Sequence, residues 1–188
     1  RILIEQNGVE WAKAWKLTRG VFAYTNHTLL PEALESWPVA LMERMLPRHM
    51  QIIYAINAEV LAEARQRAKF NDTQIANVSL IDEHGGRRVR MGQLAFVGSH
   101  SVNGVSALHT ELMKKTVFHD LNRLYPERIN NKTNGITPRR WLLECNQGLT
   151  RLITERIGPE FLDRTEALKA LDAHAEDPNF QDQFAAVK

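Results

Sequence analysis

Cysteine is almost absent from this chain of 188 residues, where Cys145 stands alone. A single thiol forms no intrachain disulfide and no Cys-based metal site, which suits a reducing compartment. It follows the helix-like run Trp141-Leu142-Leu143-Glu144, so a small buried packing residue is expected rather than a nucleophile. No apolar run reaches the roughly 18 consecutive residues that argue for a bilayer crossing, so no membrane partner is expected. No signal peptide is visible, and the chain opens on Arg1 rather than Met, which suggests an internal piece of a longer protein. Neither sign of charge dominates: 24 Lys and Arg against 22 Asp and Glu leave a formal charge of +2. A chain so nearly neutral has no general attraction to nucleic acid. The phosphate-cradling GxxxxGK[ST], the dinucleotide fingerprint GxGxxG and the serine elbow GxSxG are all missing. Seven histidines are present, at 27, 49, 84, 100, 109, 119 and 174. None forms HExxH or a Cys/His cluster, and no metal site is expected.

What is there describes a folded protein. Apolar residues make up 44% and charged residues 24% of the chain, which argues against disorder. Trp11 and Trp15 share one face of a helix over Val9–Thr18 that Gly20 should end. Val21–Thr25 reads as a strand, and Pro38 as the start of a short helix. Pro47 should open a long helix to about Lys69, with Ile53, Ile56, Val60 and Ala64 as its core stripe. Asn71–Asn77 looks like a further helical turn. Gly85-Gly86 between Val78–Asp82 and Arg87–Met91 suggests a hairpin, with the basic run Arg87-Arg88-Val89-Arg90 on a solvated face or hairpin edge. Leu94–Val97 reads as an apolar strand, Gly98–Gly104 as a loop, and Val105–Phe118 as a helix. Everything after Asn134 looks helical, in segments Pro138–Cys145, Leu149–Ile157 with a C-cap at Gly158, Thr165–Ala173, and a last helix begun by Asp177-Pro178.

The most informative stretch is Asn131-Lys132-Thr133-Asn134-Gly135-Ile136-Thr137-Pro138-Arg139-Arg140-Trp141. A polar loop runs straight into a helix start. Thr137 is a good N-cap, because its hydroxyl can accept from free N–H groups of the first turn, and Pro138 suits the first helical position. By itself this describes a well-capped surface helix. Free N–H groups with two arginines and a tryptophan beside them also suit an anion or a sugar. Glu32 and Glu35 lie on one possible helix face, where solvated charge is the better reading than a glycosidase pair.

The string NKTNGITPRRW resembles a signature of the alpha-glucan phosphorylase family, the glycogen and maltodextrin phosphorylases. Two further segments resemble the same family in the same order: AYTNHTLLPEALESWP (Ala23–Pro38) continuing into LPRHMQIIYAIN, and GSHSVNGVSALHTELMKKTVF (Gly98–Phe118). The resemblance implies a two-domain, Rossmann-like α/β fold of GT-B type, here helix-dominated and without a complete Rossmann sheet. It implies release of glucose 1-phosphate from a terminal α-1,4-linked glucosyl unit by inorganic phosphate, with the anomeric configuration retained. Pyridoxal phosphate is the implied cofactor, acting through its phosphate as a proton relay. α-1,4-Glucan and phosphate are the implied partners, with a homodimeric, cytoplasmic parent enzyme. Residue by residue, His27 matches the family histidine beside the glucosyl unit. Its ring would bond a sugar hydroxyl, and its carbonyl would meet positive charge in the transition state. Asn134 matches an asparagine that bonds a glucose hydroxyl, so His27 and Asn134 are the catalytic candidates. Val105 matches a residue whose backbone lines the same pocket, and Trp141 a tryptophan packed near the cofactor. Tyr24, Glu35, Arg139 and Arg140 are expected to be supporting.

The resemblance further implies that residues 1–134 close the N-terminal glucan-binding domain and 135–188 begin the C-terminal cofactor domain. The lysine that carries the cofactor and the residues that hold substrate phosphate are absent from this chain. Alone it is expected to be inactive. A non-catalytic carbohydrate- or partner-binding module is the alternative, and a nucleic-acid-binding helical protein a weaker one.

Overall fold

A short helix α1 (Ile2–Glu5) precedes Glu10, whose carboxylate accepts from the N–H groups of Ala12 and Lys13 and opens α2 (Trp11–Val21). The computed structural model describes all residues, 1–188. Gly20 does not end α2 as the sequence suggests. A glycine inside a helix costs only about 1 kcal/mol relative to alanine, and the helix runs on until Phe22 turns extended. Strand β1 (Ala23–Thr25) follows at once. After a 3-10 turn come β2 (Ser36–Pro38), α3 (Val39–Met45) and the long helix α4 (Pro47–Gln66). The expected stripe is buried: Ile53, Ile56, Val60 and Ala64 all face inward, together with Met50. Burying an Ile, Val or Met side chain stabilises by roughly 1.5–3 kcal/mol.

A capping box on Asn71, in which Asn71 and Gln74 satisfy each other's backbone N–H, opens α5 (Asp72–Val78). The hairpin forms with β3 (Ile81–Asp82) and β4 (Arg88–Arg90) antiparallel, Ile81 opposite Val89. The basic run is not an edge. β2 pairs with the other side of β4, so the order is β2-β4-β3. Arg88 donates to the hydroxyl and carbonyl of Ser36, each at 2.9 Å. Arg90 donates to the Ala76 carbonyl at 2.9 Å and pairs with Asp82.

Leu94–Val97, expected as a strand, lies in helix α6 (Met91–Val97). A short apolar run does not distinguish a buried strand from a buried helix. The strand position belongs instead to the supposed glycine loop: β5 (Ser101–Gly104) buries Val102 and Gly104 on one face. The expected single helix to Phe118 breaks at Thr116, giving α7 (Ala107–Lys115) and α8 (His119–Leu124). Strand β6 (Ile129–Asn131) completes a parallel sheet of order β1-β5-β6. Val102 and Ile129 of this sheet, the α4 stripe, Phe96, Phe118 and Leu121 form one buried cluster.

The chain divides into two compact units, Arg1–Asn134 and Gly135–Lys188. The second is helical throughout. It has a π-helical segment (Arg139–Glu144), α9 (Gln147–Ile157), 3-10 segments at Pro159–Leu162 and Thr165–His174, and α10 (Pro178–Val187). Asn146 caps α9 by accepting from Leu149 N–H, and its amide donates to the Val187 carbonyl at 2.6 Å. Gly158 ends α9 with φ +82°, a conformation that favours glycine. Leu152, Ile153, Phe161 and Phe180 are its buried apolar residues.

Two expectations here are corrected. Thr137 caps through its carbonyl, which accepts from Arg140 and Trp141 N–H groups, while its hydroxyl makes no cap bond. Cys145 is exposed, not buried, and its thiol donates to the Arg140 carbonyl five residues back. The run before Cys145 winds as a π-helix, whose i to i+5 spacing turns side chains to other faces than an α-helix would.

Candidate functional site

In a parallel sheet every strand delivers its C-terminal end to the same edge, and ligands of open α/β sheets gather there. Thr25, Gly104 and Asn131 are the last residues of β1, β5 and β6. Within three residues of each strand end comes a residue singled out from the sequence: His27 two after β1, Val105 directly after β5, Asn134 three after β6. The hydrogen-bond ladder continues past the strand ends and holds these loops in register. Asn26 N–H donates to the Asn103 carbonyl at 2.9 Å, and Lys132 N–H to the Gly104 carbonyl at 3.1 Å. Asn134 N–H then donates to the Val105 carbonyl at 2.9 Å, joining two of the candidates directly. β1 and β6 flank β5, so the strand ends that carry the loops of His27 and Asn134 lie two strand spacings apart, about 9–10 Å. The side chains of His27 and Asn134 are exposed at this edge, and Val105 is half-buried.

Beneath this edge lies a polar layer that the sequence did not single out. Asn26 is 1% exposed. Its Nδ2 donates to the Tyr24 hydroxyl at 3.1 Å, and its Oδ1 lies 2.9 Å from His109 Nε2. Thr25 donates to Asn103 Oδ1 at 2.8 Å, tying β1 to β5. The Thr110 hydroxyl lies 2.8 Å from the Ser106 carbonyl and 3.1 Å from Asn131 Oδ1. Ser106 caps α7 by accepting from His109 N–H. A strand-turn-helix spacing signals that residues one turn into α7 face the strand ends; the bare residue types do not.

Trp141 belongs to the second unit. Its ring is 60% exposed, with the Arg140 guanidinium 5.7 Å from the ring centre. Arg139 is occupied by Asp163 at 2.8 Å.

Displaced titrations and large cavities lie elsewhere in the first unit. Burial and the bond to Glu63 push the Tyr125 hydroxyl well up, and burial lowers Arg128, whose guanidinium stacks on the Tyr125 ring at 3.8 Å. Two grooves of about 650 and 610 Å³ share Trp15, Phe22, His49, Ile52 and Ile56. Their lining is mainly apolar, with the polar Arg1, Thr18 and His49 common to both, and none of His27, Val105 or Asn134 lines them. The strand-end edge, an open shelf with polar side chains, is the better candidate.

The sequence profile of the family Phosphorylase, described as carbohydrate phosphorylase, matches residues 1–188. The chain is 47% identical over all of its 188 residues to the muscle form of glycogen phosphorylase from Bos taurus, covering 22% of that protein. It is 45% identical to glycogen phosphorylase from Synechocystis sp. and 47% identical to the liver form from Homo sapiens, again over the whole chain and 22% of each relative. The chain thus spans about a fifth of the length of these curated relatives.

Proposed function

This chain belongs to the carbohydrate phosphorylase family, and on that footing we propose that it forms the glucosyl-binding wall of an α-glucan phosphorylase. The reaction is release of glucose 1-phosphate from a terminal α-1,4-linked glucose by inorganic phosphate. The observation that carries the reading is the common sheet edge: His27, Val105 and Asn134 follow three adjacent parallel strands, with Asn134 N–H bonded to the Val105 carbonyl. Residues 1–134 are then part of the glucan-binding domain, and 135–188 the start of the cofactor domain.

The chemistry follows from which groups remain free. The backbone N–H of Asn134 is already used, so its exposed amide is available to a glucose hydroxyl with two donors and an acceptor. The imidazole of His27 offers one more polar contact to a sugar hydroxyl. The His27 carbonyl, two peptides beyond the ladder bond of Asn26 N–H, would present a dipole to positive charge developing near the ring oxygen. Val105 contributes backbone and bulk, which shape the pocket and exclude water.

The family reading brings pyridoxal phosphate, and the second unit fits one side of it. The exposed Trp141 ring offers a face to a flat ring, and the adjacent Arg140 a cation to a phosphate. When bound, that cofactor supplies a phosphate that relays a proton to and from the substrate phosphate. Trp141 would pack against it and exclude water from that side. No lysine of this chain is assigned to its attachment, and we expect the isolated chain to release no glucose 1-phosphate. No helix is long and apolar enough to cross a membrane. The same family resemblance supports a cytoplasmic homodimer for the complete protein.

The test uses the complete protein. Glucose 1-phosphate release from glycogen or maltodextrin is measured for wild type, His27→Ala and Asn134→Ala. Losing one preoriented polar contact typically costs about 2.7–4 kcal/mol in the transition state, so kcat should fall about 10²–10³-fold while phosphate binding changes little. Wild-type kcat in a folded variant removes that residue from the site. A wild-type protein that binds glucan without phosphorolysis points to a non-catalytic binding module instead.

A further inference from the structure

We infer that His109 and Thr110, on the first turn of α7, are positioning residues that set the spacing between the loops of His27 and Asn134. The inference rests on the glucosyl site proposed above and deepens it. Three strands deliver those loops, and one helical turn grips all three strand ends.

The grip on the first strand runs through Asn26, the residue before His27. Asn26 Nδ2 donates to Tyr24, which leaves Oδ1 facing His109 at 2.9 Å. That orientation requires His109 Nε2 to carry the proton and donate. A nearly fully buried amide held on both sides leaves the following peptide little freedom. The grip on the third strand runs through Thr110, which is 2% exposed. Its single hydroxyl proton is shared between the Ser106 carbonyl at 2.8 Å and Asn131 Oδ1 at 3.1 Å. Asn131 ends β6, three residues before Asn134. Consecutive helical residues point about 100° apart, so adjacent positions reach to opposite sides of β5.

The middle strand shows how closely the turn sits. A Cβ built on Gly104 would lie 2.3 Å from Thr110 Oγ1, 2.8 Å from Thr110 Cα and 3.0 Å from His109 Cδ2. Only a residue without a side chain lets α7 rest against the end of β5. The first turn of α7 is therefore a tie bar: His109 to β1, the bare Gly104 beneath, Thr110 to β6. A misplacement of about 1 Å at a reacting centre costs on the order of 10²-fold in rate, which is the scale on which such a tie acts.

Five variants of the complete protein test this, with kcat and the KM for inorganic phosphate as readouts. His109→Phe keeps a flat ring and removes the donor; His109→Gln returns an N–H at a similar reach. Thr110→Val keeps the shape and removes the hydroxyl; Thr110→Ser returns it. We expect Phe and Val to lower kcat by about 10–100-fold with the phosphate KM within about twofold, and Gln and Ser to recover most of the loss. Gly104→Ala, which displaces the turn and leaves both side chains in place, should give the same signature and carries the test should His109→Phe not fold. A second readout needs no activity: amide hydrogen exchange in the complete protein. His109→Phe should speed exchange at Asn26, and Thr110→Val at Lys132 and Asn134, with Val60 unchanged. Unaltered kcat in both variants of an active enzyme, a phosphate KM that rises as kcat falls, or no rescue by Gln and Ser overturns the inference. Should the wild type prove inactive, the proposed function fails by itself, and unaltered exchange at Asn26 and Asn134 then overturns the tie bar separately.

Discussion

Arg1–Asn134 is held by residues far apart in sequence, whereas Gly135–Lys188 is held largely by neighbours. In the first unit Thr25 bonds Asn103 across 78 positions, and His109 reaches Asn26 across 83. In the second the longest side-chain tie, Asn146 to Val187, spans 41. The first buries a continuous cluster around α4 and the parallel sheet. The second buries four apolar residues between short helices and depends on caps and tight turns. Long-range closure costs more chain entropy and demands a larger core in return. The lesson is functional as well. Loops of unrelated sequence position meet at one edge only in the unit built by long-range pairing.

The comparison breaks or sharpens under substitution. Phe118 is 1% exposed and packs against Phe96 and Tyr24 with ring centres 5.2 and 6.1 Å away. Phe118→Ala should cost about 3–5 kcal/mol in urea unfolding followed at the first unit. Phe161 is fully buried in the smaller core. Phe161→Ala carries a similar local cost, but with so few partners to compensate it should abolish exchange protection of the Leu152 and Ile153 amides. Retained protection there would mean the second unit has more in reserve than its four buried apolar residues suggest.

Caps come next. Asn71→Ala in the first unit and Asn146→Ala in the second each remove an N-cap worth about 0.5–2 kcal/mol. Asn146 also donates to Val187, so its replacement should be the more costly of the two. Equal losses would show that the bond to α10 contributes nothing. Acid sensitivity is smaller still. The bond from His84 N–H, followed by the nearby Arg90, holds the Asp82 carboxyl below its ordinary 3.8. A lowered carboxylate stabilises the fold above the ordinary value and loses that contribution as pH falls through the lowered one. Asp82→Asn should therefore flatten the acid limb of Tm against pH below about 4 and cost stability near neutrality. An acid limb unchanged in Asp82→Asn sinks the assignment. Last, the Arg164–Glu160 pair has both side chains about two-thirds exposed. Glu160→Gln should change stability by less than about 1 kcal/mol, and a larger loss would show that charge pairing matters more in the second unit than its exposure allows.

Much of this was legible in the sequence where the signal was local. The α4 stripe, the Asn71–Asn77 helical turn, the Gly85-Gly86 hairpin, the Gly158 stop and the Asp177-Pro178 start all rest on neighbours within a few residues. The errors fall where a distant partner decides. Ser101–Gly104 looked like a polar loop because a strand of a covered parallel sheet need show only one large apolar residue when its neighbour on that face is a glycine under a helix. Leu94–Val97 looked like a strand because four apolar residues suit either state. Asn26, His109 and Thr110 were invisible as site residues for the same reason: nothing near them in the chain reveals what they touch.

Composition, local periodicity and the three matched segments by themselves determined a mixed α/β, helix-dominated chain of a phosphorylase family and named His27, Val105, Asn134 and Trp141. Only the tertiary structure decided that the first three follow adjacent parallel strands at one edge, and that a single turn of α7 grips the ends of all three. Hydrogen bonds within a turn or a cap close over a few residues and leave their mark in the order of residue types. Strand order and the facing of α7 onto Gly104 depend on which distant surfaces bury each other, and that is settled by packing of the whole core.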